Sequence, residues 1–124
     1  MQVEWFKVFV NSIDLLNDES GVYVISVLLK SGKYGAVYVG QSENLRQRIS
    51  QHFSDSESNK ELKEYIKKDY TFKISYAKVQ KDNLDLVEKY LINYYHPRFN
   101  SQDGIDDLTI EINLPNVVKF LWLF

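Results

Sequence analysis

The chain reads GVYVISVLL over 21–29, KSGK over 30–33 and YGAVYVG over 34–40. Two runs of β-branched and aromatic residues flank a short polar break that contains glycine, the pattern of a tight antiparallel hairpin. A two- or four-residue loop centred on Ser31 and Gly32 sets Tyr23 opposite Gly40 and diagonal to Tyr38. Both phenols then share one face of the sheet. Gly40 leaves room beside Tyr23 for close approach of a backbone or a ligand, a common use of glycine in a strand.

Working outward, residues from Val3 to Val10 read as a strand, and Ile13, Leu15 and Leu16 mark a short amphipathic segment before a turn at Asn17 to Ser20. After the hairpin, Leu45, Ile49 and Phe53 have helical spacing, which predicts a helix over Ser42 to Phe53 with Ser42 as N-cap and Glu43 in its first turn. Asn59 caps a second helix over Lys60 to Lys68, and Phe72, Ile74 and Tyr76 alternate as a strand. Asp82 or Asn83 caps a third helix that runs to about Tyr95 and stops before Pro97. Leu108, Ile110, Ile112 and Leu114 alternate as a late strand. The expected fold is α/β or α+β, with a small, mostly antiparallel central sheet flanked by helices. Residues 1–20 form a strand and short helical extension, 21–100 the core, and 101–124 a final strand and apolar tail that packs on the core or a partner.

A length of 124 residues bounds the chain at one compact domain. With 44% hydrophobic and 26% charged residues it is expected to be a soluble globular domain rather than a disordered or membrane protein. It has no cysteine, hence no disulfide framework, thiolate zinc site or cysteine nucleophile, and a reducing cytoplasm suits it. Nothing at the amino terminus resembles a signal peptide, and the apolar run Phe120 to Phe124 falls far short of the roughly 20 residues that span a bilayer. A net charge of -2 argues mildly against non-specific polyanion binding. The acidic excess sits in residues 101–124, where Asp103, Asp106, Asp107 and Glu111 face Lys119 alone, so a local basic face is open to the rest.

The informative residues are ionisable groups that periodicity turns toward the core. Glu88 falls within the arc of Leu84, Val87, Leu91, Ile92 and Tyr95 on the third helix. A carboxylate there must be protonated, paired with a cation such as Arg48, or coordinating a metal at a cavity edge. On the first helix Arg48 and His52 share the arc of Leu45 and Ile49. Arg48 snorkelling to solvent and His52 as a core-edge histidine is the plain reading; the pair together weakens it.

These residues carry a resemblance. Gly21, Val22, Tyr23 followed by Tyr38, Val39, Gly40 resembles the paired motif of the GIY-YIG nuclease superfamily, with valine in place of both isoleucines. Arg48 stands at the family's helical arginine, His52 where members carry His or Tyr, and Glu88 at its metal-binding glutamate. The segment Tyr94 to Asn100 looks like the one that closes the core, with Asn100 at the family's asparagine. The match covers about 21–100. Gln41 departs from it, at a position that is often lysine in the repair incision subunits, and the acidic total is also unusual.

The resemblance implies a metal-dependent endonuclease that hydrolyses DNA. Its catalytic residues would be Tyr23, Tyr38, Arg48, His52, Glu88 and Asn100. Glu88 would hold one magnesium or manganese ion, and Arg48 would clamp the scissile phosphate. Tyr23 is the expected general base, needing Arg48 or the metal to favour its phenolate. Tyr38 would position water or phosphate, His52 would orient or relay a proton to a tyrosine, and Asn100 would brace the site. Gly40, Gln41, Arg46 and Arg98 are expected to contact substrate. DNA is the expected partner, with no membrane, and a homodimer or larger assembly would form through the apolar C-terminal segment. The alternative is a non-catalytic nucleic-acid-binding or protein-interaction domain that keeps the fold.

Overall fold

A computed structural model describes residues 1–100 and 110–120. In chain order it has β1 (Trp5–Phe9), a 3-10 turn (Val10–Leu15), β2 (Gly21–Leu28), β3 (Tyr34–Ser42), α1 (Leu45–His52) and α2 (Lys60–Ile66). There follow β4 (Phe72–Lys78), a second 3-10 turn (Lys81–Asn83) and α3 (Leu84–Tyr95). The four strands form one sheet in the order β1-β4-β2-β3, with every neighbouring pair antiparallel. Central β2 is buried on seven of its eight residues because both faces of the sheet are covered. One layer packs Tyr23, Ile25 and Ile74 against Ile49 of α1 and Leu62 of α2. The other packs Val22, Val24 and Val39 against Val87 and Leu91 of α3.

The hairpin reaches its expected register by an unexpected route. Its loop has three residues, not two or four: Leu29 N–H donates to Lys33 O at 2.8 Å, and Gly32 N–H donates to Leu29 O at 3.0 Å. Gly32 supplies the φ of 86° that such a loop requires. This loop pairs Leu28 with Tyr34 and Ser26 with Ala36. A β-bulge between Ile25 and Ser26 then absorbs Val37, so that Ile25 faces Tyr38 and Tyr23 faces Gly40. Consecutive Val37 and Tyr38 consequently both pack on the α1 layer, while Ala36 and Val39 pack on the α3 layer. Without the bulge, Tyr38 would turn away from Tyr23.

Three helix boundaries differ from expectation. Ser42 ends β3 rather than capping α1; its hydroxyl accepts from Asn44 N–H at 2.9 Å, and Asn44 caps the helix through Gln47 N–H at 3.1 Å. Glu43 precedes the helix and pairs with Lys81 at 3.1 Å. Helix α2 begins after its expected cap Asn59 and ends at Ile66. Helix α3 has no side-chain cap, because the 3-10 turn over Lys81–Asn83 leads directly into it. It closes on His96 in the left-handed region, with His96 N–H donating to Ile92 O at 2.8 Å.

The late strand is a correction. Leu108 lies outside the described residues, and Ile110 to Leu114 belongs to no strand or ladder. Asn113 holds it to the other end of the molecule by exchanging two hydrogen bonds with the Val3 backbone, each 2.8 Å. The outer edge of β3 is occupied by other groups. Val118 forms an isolated parallel bridge to Gly35, Phe99 N–H donates to Val37 O, and Asn100 grips Val39. These contacts cover an edge that would otherwise be open to pairing. Ile112 and Val117 are buried against the α3 layer, and Phe120 packs on the α1 layer. Among the described residues no helix is long and apolar enough to cross a membrane.

Candidate active site

Helix α1 is anchored by buried Leu45 and Ile49, which carry Arg48 and His52 toward the hairpin on the same side. His52 is buried beneath both tyrosines, its ring centroid 5.4 Å from that of Tyr23 and 4.9 Å from that of Tyr38. The two phenol rings are 6.4 Å apart. The Tyr23 hydroxyl lies 2.6 Å from His52 Nε2, and His52 Nδ1 lies against Glu57 Oε2. A neutral His52 that accepts from Tyr23 at Nε2 carries its proton on Nδ1, facing Glu57. Gly40 seats this arrangement. Any Cβ there would strike the Tyr23 ring, so the room above Gly40 expected to admit a ligand is filled by Tyr23 itself.

Arg48 is partly exposed, with Nη1 at 3.5 Å from Glu57 Oε2. It borders an open cleft together with Tyr38, Lys60, Arg98 and Asn100. Burial is the main cause that raises the Tyr23 hydroxyl well above the ordinary phenol range, reinforced by Tyr38 and outweighing the opposing pull of Arg48. Burial likewise raises Tyr38, against the pull of Arg48. His52 is lowered to about 4, first by burial and then by Arg48, although Glu57 works in the other direction. Because Arg48 already balances Glu57, a proton on His52 would add a second cation to a dry site. At neutral pH the resting site therefore holds two phenols and a neutral imidazole, and Arg48 does not make Tyr23 a phenolate as expected.

Glu88 enters from the opposite layer. It is 9% exposed on α3, and its charge is among the smaller causes that raise both tyrosines. Gln41, one residue beyond Gly40 and so on the α3 side of β3, donates from Nε2 to Glu88 Oε1 at 3.1 Å and to Asp85 Oδ1 at 2.6 Å. The expected substrate contact is thus an amide bridging two carboxylates. Asn100 accepts from Val39 N–H at 2.9 Å and donates to Val39 O at 2.7 Å, bracing β3 beside Tyr38. Arg98 is exposed at the cleft, whereas Arg46 lies apart, in a surface pair with Asp18 at 2.8 Å.

Two residues went unread in the sequence. Asp85 stands one helical turn before Glu88 and looks like an ordinary first-turn acid. Glu57 sits in the run of small and acidic residues from Ser54 to Asn59, where no periodicity distinguishes a buried acid from a solvated one. Its side chain is nevertheless fully buried.

A tyrosine-bearing hairpin covered on one face by a helix with arginine and histidine, and on the other by a helix with a buried glutamate, has the layout of a GIY-YIG domain. The chain belongs to the UvrC-like GIY-YIG domain family, whose model matches residues 19–101. It is 31% identical over 80 residues to UvrABC system protein C of Mycoplasmopsis agalactiae, covering 64% of this chain and 13% of that protein. It is 33% identical over 94 residues to the protein of the same name from Protochlamydia amoebophila, covering 72% of this chain and 14% of that protein. The chain thus spans about a seventh of the length of these relatives. The GIY-YIG N-terminal endonuclease domain of UvrC from Thermotoga maritima, bound to magnesium as its catalytic divalent cation, superposes with a TM-score of 0.53. That match is 21% identical and covers 73% of this chain and 92% of that one. A point mutant of the same domain, also bound to its catalytic cation, gives 0.55 at 20% identity, covering 74% and 93%. At these identities the likeness is one of fold.

Proposed function

We propose that this chain is a metal-dependent endonuclease domain that hydrolyses DNA phosphodiester bonds. The observation that carries the reading is the line from Tyr23 through His52 to Glu57, buried directly behind the cleft into which Arg48 projects. A buried phenol bonded to an imidazole behind a cleft offers a path for a proton, which hydrolysis uses and binding alone does not need.

The metal implied by the family suits the donors present. Among the described residues no group of three or more His, Cys, Asp and Glu gathers, as a protein-enclosed zinc site would require. The carboxylate of Glu88, with the Gln41 amide and Asp85 beside it, offers hard oxygen donors that suit a cation which keeps most of its water, magnesium or manganese. When bound there, the ion supplies positive charge for the phosphoryl oxygens and the leaving 3' oxygen.

The remaining chemistry falls to side chains. Arg48 binds the scissile phosphate through its planar donor fork, oriented by Glu57. Tyr23 acts as general base without forming a free phenolate: its oxygen takes a proton from the attacking water while its own proton passes to His52 Nε2. The imidazolium so formed faces Glu57. Tyr38 positions the water or the phosphate, and Asn100 keeps the β3 edge in place.

The test is conversion of supercoiled plasmid, flap, junction and single-stranded DNA in magnesium or manganese, with wild type beside Glu88→Gln. Cleavage by wild type and its loss in the variant, with folding and DNA affinity retained, is the expected result. Binding without cleavage of any substrate would leave a nucleic-acid-binding domain, and equal cleavage by both proteins would remove Glu88 from the chemistry.

A further inference from the structure

We propose that Glu57 is the positioning residue of the site, a single buried carboxylate that sets the His52 tautomer and aims Arg48 into the cleft. Its role in turnover rests on the nuclease reading above; its effect on the imidazole does not.

Each carboxylate oxygen has its own task. Oε1 accepts from Asn59 N–H at 2.9 Å, which ties Glu57 to the start of α2. Asn59 is fixed in turn, capping α2 through Leu62 N–H at 3.1 Å and donating to Phe99 O at 2.8 Å. Oε2 faces His52 Nδ1 and the Arg48 guanidinium together. A carboxylate shut away from water is costly unless cations or N–H groups surround it, and nothing in the packing of a surface connection demands one here. An ion pair serving only to hold residues 54–59 against α1 would be satisfied by Arg48. The same Oε2, however, also faces the ring nitrogen opposite Tyr23, whose state decides whether Nε2 can accept the phenol's proton.

Glutamine at this position shows why the charge matters. Both oxygens of Glu57 accept, whereas an amide accepts at one end and donates at the other. If its oxygen keeps Asn59 N–H, its NH2 group faces His52 Nδ1 and forces the proton onto Nε2. If it turns over, it sets a donor against Asn59 N–H and loosens the start of α2.

The experiment is nitrogen-15 NMR of the two histidines, His52 and exposed His96, in wild type and Glu57→Gln, with nicking rates in magnesium. Wild-type His52 should carry its proton on Nδ1. Glu57→Gln should shift His52 toward the Nε2-protonated form, leave His96 unchanged and slow nicking at least about tenfold. In a His52→Ala background the same substitution should lose the part of that effect that runs through His52 and keep only the part that runs through Arg48. An Nε2 proton on wild-type His52 overturns the proposal even if the variant fails to fold. So does an unaltered tautomer in Glu57→Gln, or an undiminished effect in the His52→Ala background. A shifted tautomer in proteins that cleave nothing would sink the nuclease reading and leave the placement of Glu57 standing.

Discussion

Gly40 and Tyr23 face each other across the β2–β3 ladder so closely that a side chain at position 40 would occupy the volume of the Tyr23 ring. The glycine therefore shapes the site by what it lacks. Gly40→Ala must push the phenol off His52 or bend the strand. Overpacking a dense core costs about 1–3 kcal/mol. We expect that loss in urea unfolding, together with a fall in nicking larger than the lost stability explains. A variant as stable and as active as wild type would show that the contact is easily relieved.

Tyr23 and Arg48 act on different objects and should fail differently. Tyr23→Phe removes the hydroxyl and leaves His52 Nε2 buried without its donor, at about 1–3 kcal/mol of stability. It should lower kcat by roughly two to four orders of magnitude, the usual scale of general base catalysis, with KM little changed. Arg48→Ala should lower kcat and also weaken binding, since Arg48 borders the cleft in the resting state. Single-turnover nicking and fluorescence-anisotropy titration with DNA separate the two effects. Equal KM for the two variants would take Arg48 off the phosphate.

His52 makes stability depend on pH with a definite sign. Its folded pKa is lowered to about 4 from the ordinary 6.5, by burial first and by Arg48 second. Between those values the unfolded chain binds more protons than the folded one, so stability is complete above about 6.5 and is lost as pH falls toward 4. Urea midpoints measured from pH 7.5 to 4.5 should fall through this window, and His52→Gln should flatten the fall. A midpoint that rises on acidification would mean that Glu57 holds His52 as a cation.

Most of the candidate site is legible in the sequence because its members lie on elements with a period. Tyr23 and Tyr38 were placed by strand pairing, and Arg48, His52 and Glu88 by helical arcs, so an ionisable group on an apolar face stood out. Val37 could not be read as a bulge, because a β-branched residue in a strand gives no local sign of being the extra one. The register of Tyr23 and Gly40 nevertheless came out right, the bulge offsetting an odd-length loop. Glu57 was missed because its burial is a tertiary fact: α1, the start of α2 and the sheet close over a connection that is polar by composition. Ile110 to Leu114 misled for the opposite reason. Their alternation reflects real burial of Ile112, while the pairing edge of β3 was already in use by Phe99, Asn100 and Val118.

Asn100 is the residue whose substitution best separates bracing from chemistry. Its amide accepts Val39 N–H and donates to Val39 O, standing in for a neighbouring strand on the outer edge of β3. No other side chain of this length both donates and accepts in one plane. Asn100→Ala leaves both backbone groups without their partner, a loss of about 1–3 kcal/mol if water does not reach them. Asn100→Asp should be at least as damaging, because its second oxygen would face Val39 O where the amide donated. If Asn100 only braces, both variants melt earlier, yet below their transitions each retains kcat within about threefold of wild type, as expected for a group that touches neither water nor phosphate in the transition state. A loss of kcat by orders of magnitude in Asn100→Ala at a temperature where it is fully folded would instead put its amide on the substrate.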